Sequence, residues 1–310
     1  MNNQLSWKII KLFSSKNIYG FRTQDVVREF PEKHPAHLTK LLKKMLEEGM
    51  LCKLARDHYH IIPAKEDPET YIPDSNQVAK YIMQDKEYYI GYASAMRIHK
   101  LSFQSTLNLA NGNLANGNLA NGNLANDNLA NDNLANGDKS KLNESKLKEY
   151  VVTKIQMKPA LRIILGIPIQ FVQQDTNRFF GFSSIWINQL EEAMVSDLEK
   201  TIVDIAAKPA HCGGIAEIAN AIYQANDRKN HDKLFYYFAR YKNKSAKKRF
   251  LFLTDLLGLE WTREHERMMK ELGTGSSLLD PSAPNQGRNI KKFGLKINVD
   301  PNHIKKTVEV

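Results

Sequence analysis

The chain has 310 residues, of which 42% are hydrophobic and 25% are charged, so it can bury a substantial core and is long enough for two domains. A net charge of +10 favours an anionic partner, nucleic acid first. Cys52 and Cys212 are too few for a disulfide framework or a zinc site, and no run of 18 apolar residues or signal-peptide pattern occurs, so we expect a cytoplasmic protein with no membrane partner.

The first 64 residues predict a winged helix-turn-helix domain. Helical patterning is followed by a hairpin pattern around Asp57-His58, and this order is typical of the fold. A polar, proline-bearing segment at 65–74 then predicts a linker. The predicted helices cover residues 5–15, 23–30 and 35–48, and the predicted strands cover 51–56 and 59–63.

The third predicted helix indicates DNA binding. An apolar stripe at helical spacing, from Leu38 to Leu46, must face a core. The remaining surface carries cations and small donors, which suits a major groove. A solvated surface helix is the alternative. The candidate DNA-binding residues are His37, Thr39, Lys40, Lys43 and Lys44 on this helix, with Arg56 and His58 at the hairpin turn.

Residues 75–310 predict a larger α+β domain in which a block of strands precedes a block of helices. Ser196 and Glu199 form an S-x-x-E pattern, which predicts that Ser196 caps the first helix of the helix block. Helices are expected at 75–83 and 91–99, strands at 150–156, 161–165, 167–172 and 182–187, further helices at 215–225, 233–241, 246–257 and 262–272, and a late strand at 294–299.

A pentapeptide array, NLANG or NLAND, begins at Asn108 and repeats six times. A right-handed β-solenoid is one interpretation, but so few repeats complete only about one and a half coils, too few to bury a continuous core. The array lacks aromatic and β-branched residues, so we expect a disordered insert over about 105–148.

The motifs of common enzymes are missing from the sequence. The chain has no GxGxxG or GxxxxGK[ST] motif, and its nine histidines form no HExxH pattern. We therefore expect no cofactor, no metal and no catalytic role. One basic cluster stands out, formed by Lys242, Lys244, Lys247, Lys248 and Arg249, and it is either a solvated helix start or a second surface for an acidic partner.

Several segments together resemble the AbiEi-type antitoxins of type IV toxin–antitoxin (abortive infection) systems. The likeness covers most of residues 5–300 outside the array. It is carried by the predicted winged helix and by residues 88–101 (YYIGYASAMRIHKL), 165–172 (LGIPIQFV), 179–187 (FFGFSSIWI), 195–222 (VSDLEKTIVDIAAKPAHCGGIAEIANAI) and 279–288 (LDPSAPNQGR).

This resemblance implies a transcriptional repressor that binds inverted repeats in its own operator DNA through the first domain. It implies a second domain that counteracts a separately encoded nucleotidyltransferase-like toxin, for which the basic cluster is the candidate antitoxin surface. The alternative is a winged-helix regulator whose second domain senses a small molecule. An enzyme is a further alternative, although no catalytic constellation supports it.

Overall fold

A computed structural model describes residues 2–83, 85–102, 148–188 and 191–308. The predicted disordered insert lies outside these residues apart from its last position. Within them the chain is α+β, with eleven α-helices and three sheets, as the sequence predicts. None of these helices is long and apolar enough to cross a membrane.

The N-terminal unit has the helix–strand–helix–helix–hairpin order of a winged helix. Its three-stranded sheet has the order β1-β3-β2, with both neighbouring pairs antiparallel. Strand β1 was not predicted, because three residues are too few to show an alternating pattern. The elements are α1 (Asn2–Ser15), β1 (Gly20–Arg22), α2 (Thr23–Glu29), α3 (Pro35–Glu47), β2 (Leu51–Ala55) and β3 (His58–Ile61).

Helix α3 begins and ends where its sequence requires. The ring Nδ1 of His34 accepts a hydrogen bond from the Ala36 N–H at 3.3 Å, and Pro35 occupies the first turn, where no backbone donor is needed. Gly49 has a φ of +70° just after the helix, a conformation that glycine adopts without strain. Four stripe residues are buried in the core of the unit: Leu38, Leu41, Leu42 and Met45.

The rest of the described chain, here called the body, is built on a six-stranded mixed sheet. Its strand order is β6-β7-β5-β4-β9-β8, so β6 and β8 are the edges. All four strands predicted for this block are confirmed, whereas β4 and β9 were missed. The strands are β4 (Tyr88–Ile90), β5 (Glu149–Thr153), β6 (Leu161–Ile164), β7 (Ile167–Gln173), β8 (Phe182–Trp186) and β9 (Glu192–Ser196).

Helices cover both faces of this sheet, and a small sheet of β10 (Ser277–Leu278), β11 (Arg288–Ile290) and β12 (Leu295–Ile297) follows the helix block. The predicted helices are confirmed; only α11 was not expected. The helices are α4 (Ser75–Met83), α5 (Tyr92–Ile98), α6 (Leu198–Ala207), α7 (Ile215–Gln224), α8 (His231–Tyr241), α9 (Lys244–Leu256), α10 (Arg263–Lys270) and α11 (Pro301–Val308).

The predicted cap of α6 is wrong by one residue. Ser196 is the last residue of β9, and Asp197 caps the helix by accepting a hydrogen bond from the Lys200 N–H at 2.8 Å. Strand pairing with β8 extends to Ser196 and displaces the start of the helix. The N-terminus of α7 is capped from a distance, because Asp280 accepts a hydrogen bond from the Ile215 N–H at 3.0 Å.

An ion pair lies in the interior of the body. The Lys200 and Asp204 side chains are fully buried, and their Nζ and Oδ1 atoms are 2.5 Å apart. The Tyr89 hydroxyl accepts a hydrogen bond from Lys200 at 2.8 Å and donates one to Asp204 at 2.9 Å. Burial lowers the pKa of Lys200, and the neighbouring carboxylate opposes that shift. Each charge thus depends on the other for compensation.

We predict that Asp204→Asn destabilises the protein by about 3–5 kcal/mol, because it leaves the Lys200 ammonium buried without a counter-charge. Urea denaturation measures this free energy of unfolding. The matched control is Asp255→Asn, which breaks the exposed pair with Lys292 at 2.8 Å and should cost about 1 kcal/mol or less. Equal effects of the two substitutions would contradict the role given to the buried pair.

The winged helix packs directly on the body despite the predicted linker. The Tyr81 hydroxyl on α4 accepts a hydrogen bond from the Tyr19 N–H at 3.0 Å and donates one to the buried carboxylate of Glu191. Arg22 forms an ion pair with Asp85 at 2.5 Å. These contacts, here called the junction, hold β1 against the body.

His60 lies at the junction with its ring 1% exposed and with neither ring nitrogen hydrogen-bonded among the described residues. Its neighbours are the rings of Tyr19, Tyr71 and Tyr81, with centroids 5.8–6.5 Å away. Burial lowers the pKa of His60 to about 4, so the ring is neutral near pH 7. Protonation would bury a positive charge at the junction, and the attraction to the Glu191 carboxylate offsets only part of that cost.

We predict that stability falls as the pH drops from about 6.5 towards 4. Over this range His60 is protonated in the unfolded chain but not in the folded one, so the unfolded state gains protons and is favoured. The full loss from this residue is about 3 kcal/mol. Denaturation series at several pH values should show a flatter dependence for His60→Leu than for the parent protein. An identical dependence would mean that His60 is not held neutral by folding.

Candidate nucleic-acid interface

The solvent face of α3 presents cations opposite the buried stripe. Three basic residues of this helix are exposed, and each is next in sequence to a buried leucine. They are His37 beside Leu38, Lys40 beside Leu41, and Lys43 beside Leu42. The helix is therefore held by its apolar face while its basic face is open to solvent. This is the arrangement that a helix needs in order to enter a major groove.

Two other residues predicted for this face already have partners within the helix. The Thr39 hydroxyl is half-buried and donates a hydrogen bond to the Pro35 carbonyl at 3.0 Å. The Lys44 ammonium lies 3.3 Å from the Glu48 carboxylate, one turn later. Because both contacts are local to the helix, these residues are less available to a ligand than Lys40 and Lys43.

The wing, the turn between β2 and β3, projects an almost fully exposed guanidinium. The Arg56 side chain is 97% exposed, and its Nε lies 3.8 Å from the Asp57 carboxylate. Asp57 has a φ of +59°, which produces the tight turn. The ring Nδ1 of half-buried His58 lies 2.7 Å from the Arg56 carbonyl, so this contact braces the turn rather than leaving that nitrogen free for a ligand.

A pocket with a volume of about 470 Å³ lies between the wing and the start of α2. Gln24, exposed at the rim, was not among the predicted residues. Its only sequence signal is a polar side chain in the first turn of a helix, which is common on any surface. The lining also includes Arg22, Thr23, Val27, Arg56, Asp57 and His58.

The predicted antitoxin surface is wrong for three of its five residues. Lys247, Lys248 and Arg249 are buried, whereas Lys242 and Lys244 are exposed. The first turns of α9 are covered by the segments 271–279 and 206–207, which supply acceptors to the three cations. These residues therefore link elements of the body and do not form an open basic patch.

The acceptors of the three buried cations are specific. Arg249 donates hydrogen bonds to the carbonyls of Ala206 at 2.9 Å and Leu279 at 2.8 Å, and burial lowers its pKa to about 10. Lys248 donates to the Gly275 carbonyl at 2.5 Å. Lys247 pairs with Glu271 at 2.6 Å. Sequence alone could not distinguish these cations from exposed ones, since their acceptors lie 20 or more residues away.

Comparisons with known proteins bear on the fold. No protein-family model and no curated protein matches the chain. Among solved structures, the chain is similar to the RV2827C protein from Mycobacterium tuberculosis, with a TM-score of 0.57 over 93% of this chain and 89% of that chain. The sequence identity is 11%, so the similarity is one of fold.

We predict that Lys40→Ala and Lys43→Ala each weaken DNA binding. If each ammonium contacts a phosphate, each substitution should reduce the slope of log Kd against log salt by about 0.9. Lys44→Ala should change the slope less, because its charge is paired with Glu48. Fluorescence anisotropy over a salt series gives these slopes. Lys305→Ala, which removes an exposed lysine from α11 of the body, is the matched control, and an equal effect there would contradict an interface on α3.

Proposed function

We propose that the protein is a DNA-binding antitoxin with no catalytic role. The N-terminal unit represses the protein's own operon by binding operator DNA at inverted repeats. The body counteracts a separately encoded nucleotidyltransferase-like toxin. The observation that carries the DNA-binding half is the open basic face of α3, with His37, Lys40 and Lys43 exposed above a buried apolar stripe.

The geometry of the N-terminal unit supports two kinds of DNA contact. Side chains of α3 reach base edges and phosphates in the major groove, while Arg56 on the wing reaches the adjacent backbone or minor groove. Phosphate contacts position a protein on the duplex and base contacts specify the sequence. Arg56 therefore contributes affinity, and the exposed residues of α3 contribute both affinity and sequence preference.

The antitoxin half of the proposal rests on the sequence resemblance to the AbiEi-type antitoxins. The body has the strand block and helix block expected for its larger domain. Of the basic cluster, Lys242 and Lys244 remain available to a partner. Neutralisation does not require a stable complex with the toxin, and it is separable from DNA binding because α3 and α9 belong to different units.

A two-part assay tests this proposal. One part measures repression of a reporter driven by the protein's own promoter, and the other measures growth when the toxin candidate from the adjacent gene is expressed. We predict that the double variant Lys40→Ala/Lys43→Ala no longer represses the reporter. When this variant is produced from an unrelated promoter, it should still rescue growth. The double variant Lys242→Ala/Lys244→Ala should retain repression and reduce rescue. An acidic surface on the toxin would lose the two ammonium groups that it binds on this protein.

The outcomes separate the alternatives. If the parent protein represses but never rescues growth at matched soluble levels, the antitoxin half fails. Repression that responds to a metabolite would then favour a ligand-sensing regulator. If the variant of α3 represses as well as the parent, the DNA-binding surface lies elsewhere. Loss of both activities in either double variant would indicate misfolding, which a thermal melt detects.

A further inference from the structure

Strand β8 is an edge of the six-stranded sheet in the part of the chain that the structure describes. It pairs with β9 along its full length, and no other strand among the described residues lies beside it. Ser183, Ser184 and Trp186 are exposed, and Trp186 is 64% exposed despite its large apolar ring. An edge of this kind presents unpaired backbone donors and acceptors to a second strand.

The hydrogen bonds at the two ends of the ladder show which backbone groups point outward. The Ile187 N–H donates to the Glu191 carbonyl at 3.0 Å, and the Asp197 N–H donates to the Gly181 carbonyl at 2.9 Å. In an antiparallel pair, every second residue of a strand directs its N–H and C=O groups towards the neighbouring strand. Ser183 and Ile185 therefore also bond to β9, as Gly181 and Ile187 do. The N–H and C=O groups of Phe182, Ser184 and Trp186 therefore point away from β9.

The sequence of β8 has none of the features that protect an edge strand. Natural edges are usually blocked by charged residues, proline or a bulge. The residues FSSIW contain no charge and no proline, and the register with β9 is continuous from Phe182 to Trp186. The opposite edge, β6, differs: Arg162 lies within it, and Lys158 and Pro159 precede it.

We propose that β8 pairs antiparallel with β8 of a second copy of this chain, about a twofold axis at Ser184. In that register Ser184 faces its own copy, and Phe182 faces Trp186 of the second copy. All three residues have outward-directed backbone groups, so the pairing forms six interchain hydrogen bonds, two for each of three facing pairs. The contact uses the same surface on both copies and closes as a dimer.

The side chains agree with this register. Successive residues of a strand alternate between faces, so Phe182, Ser184 and Trp186 share one face of the sheet. Each Trp186 ring then packs beside the Phe182 ring of the second copy, an aromatic pair of the kind that stabilises facing strands. No like charges meet, because the strand carries none.

This dimer does not depend on the proposed function. If the protein does bind inverted repeats, the twofold axis would match the symmetry of such a site. The dimer and the DNA interface use different elements, β8 in the body and α3 in the N-terminal unit, so either can fail while the other stands.

Light scattering after size-exclusion chromatography of the full chain, without DNA, tests the dimer. At about 100 µM we expect a mass of about 71 kDa, twice the 35.4 kDa of one chain, since the contact is small and the affinity modest. Ser184→Pro should give a monomer. Proline is tolerated there because the Ser184 N–H points away from β9, and edge strands accept proline at such positions.

Ile163→Pro on β6 is the matched control. The Phe171 N–H donates to the Ala160 carbonyl at 2.7 Å, so by the same alternation the Ile163 N–H also points away from its neighbouring strand. This variant should remain a dimer. Trp186→Ala removes only an exposed ring and should raise the dimer dissociation constant about tenfold. This variant tests the interface even if Ser184→Pro fails to fold.

The results that would overturn the proposal are specific. A parent protein that is monomeric at about 100 µM would exclude a dimer with a dissociation constant below that concentration. A folded Ser184→Pro variant that still dimerises, or a Trp186→Ala variant with the parent's dissociation constant, places the contact elsewhere. A folded Ile163→Pro variant that becomes monomeric would assign the interface to β6 instead.

Discussion

The buried carboxylate of Glu191 holds in place the Tyr81 hydroxyl that joins the winged helix to the body. It accepts hydrogen bonds from the side chains of Tyr81 and Gln77 and lies 3.6 Å from the Lys80 ammonium, so its charge is compensated by groups on α4. Through the Tyr81 hydroxyl it is connected to the backbone that enters β1. A buried carboxylate without these partners would be strongly destabilising, so Glu191 holds the Tyr81 side chain in place, and the Tyr81 hydroxyl in turn accepts the hydrogen bond from the Tyr19 N–H of the N-terminal unit.

Close packing reinforces the same contact. A Cβ atom on Gly20 would lie 2.3 Å from the Tyr81 ring, so only glycine permits β1 to approach α4 this closely. Leu54, on the strand that leads to the wing, is buried in the same cluster as residues of α4 and the body sheet. The orientation of α3 is therefore set by the body and not only by the N-terminal unit's own core.

The positive charge of the chain divides into two populations with different roles. Lys200, Lys248 and Arg249 are buried, and their charges are satisfied by a carboxylate or by backbone carbonyls of distant segments. Lys40, Lys43 and Arg56 are exposed and available to an anionic ligand. Net charge alone cannot separate these populations, because a cation that bonds to the chain itself contributes stability rather than an attraction for DNA.

Much of the local structure follows from sequence patterns. The stripe from Leu38 to Leu46, with Pro35 before it and Gly49 after it, was sufficient to place α3, because helical spacing and termination signals are local. The central strands β4 and β9 were missed for the opposite reason. They are short, and β4 is buried at all three positions, so it lacks the alternation that identifies a strand from its own residues.

The sequence by itself determined the fold class, the order of most elements and the residues of α3 that face the core. These properties depend on the spacing of apolar residues and on turn residues within one segment. Only the tertiary structure decided which cations are exposed, where α6 is capped, how the winged helix rests on the body and which strands form the edges of the sheet. Each of those depends on groups from separate segments meeting in space, because burial and hydrogen bonding are properties of the neighbours that surround a side chain.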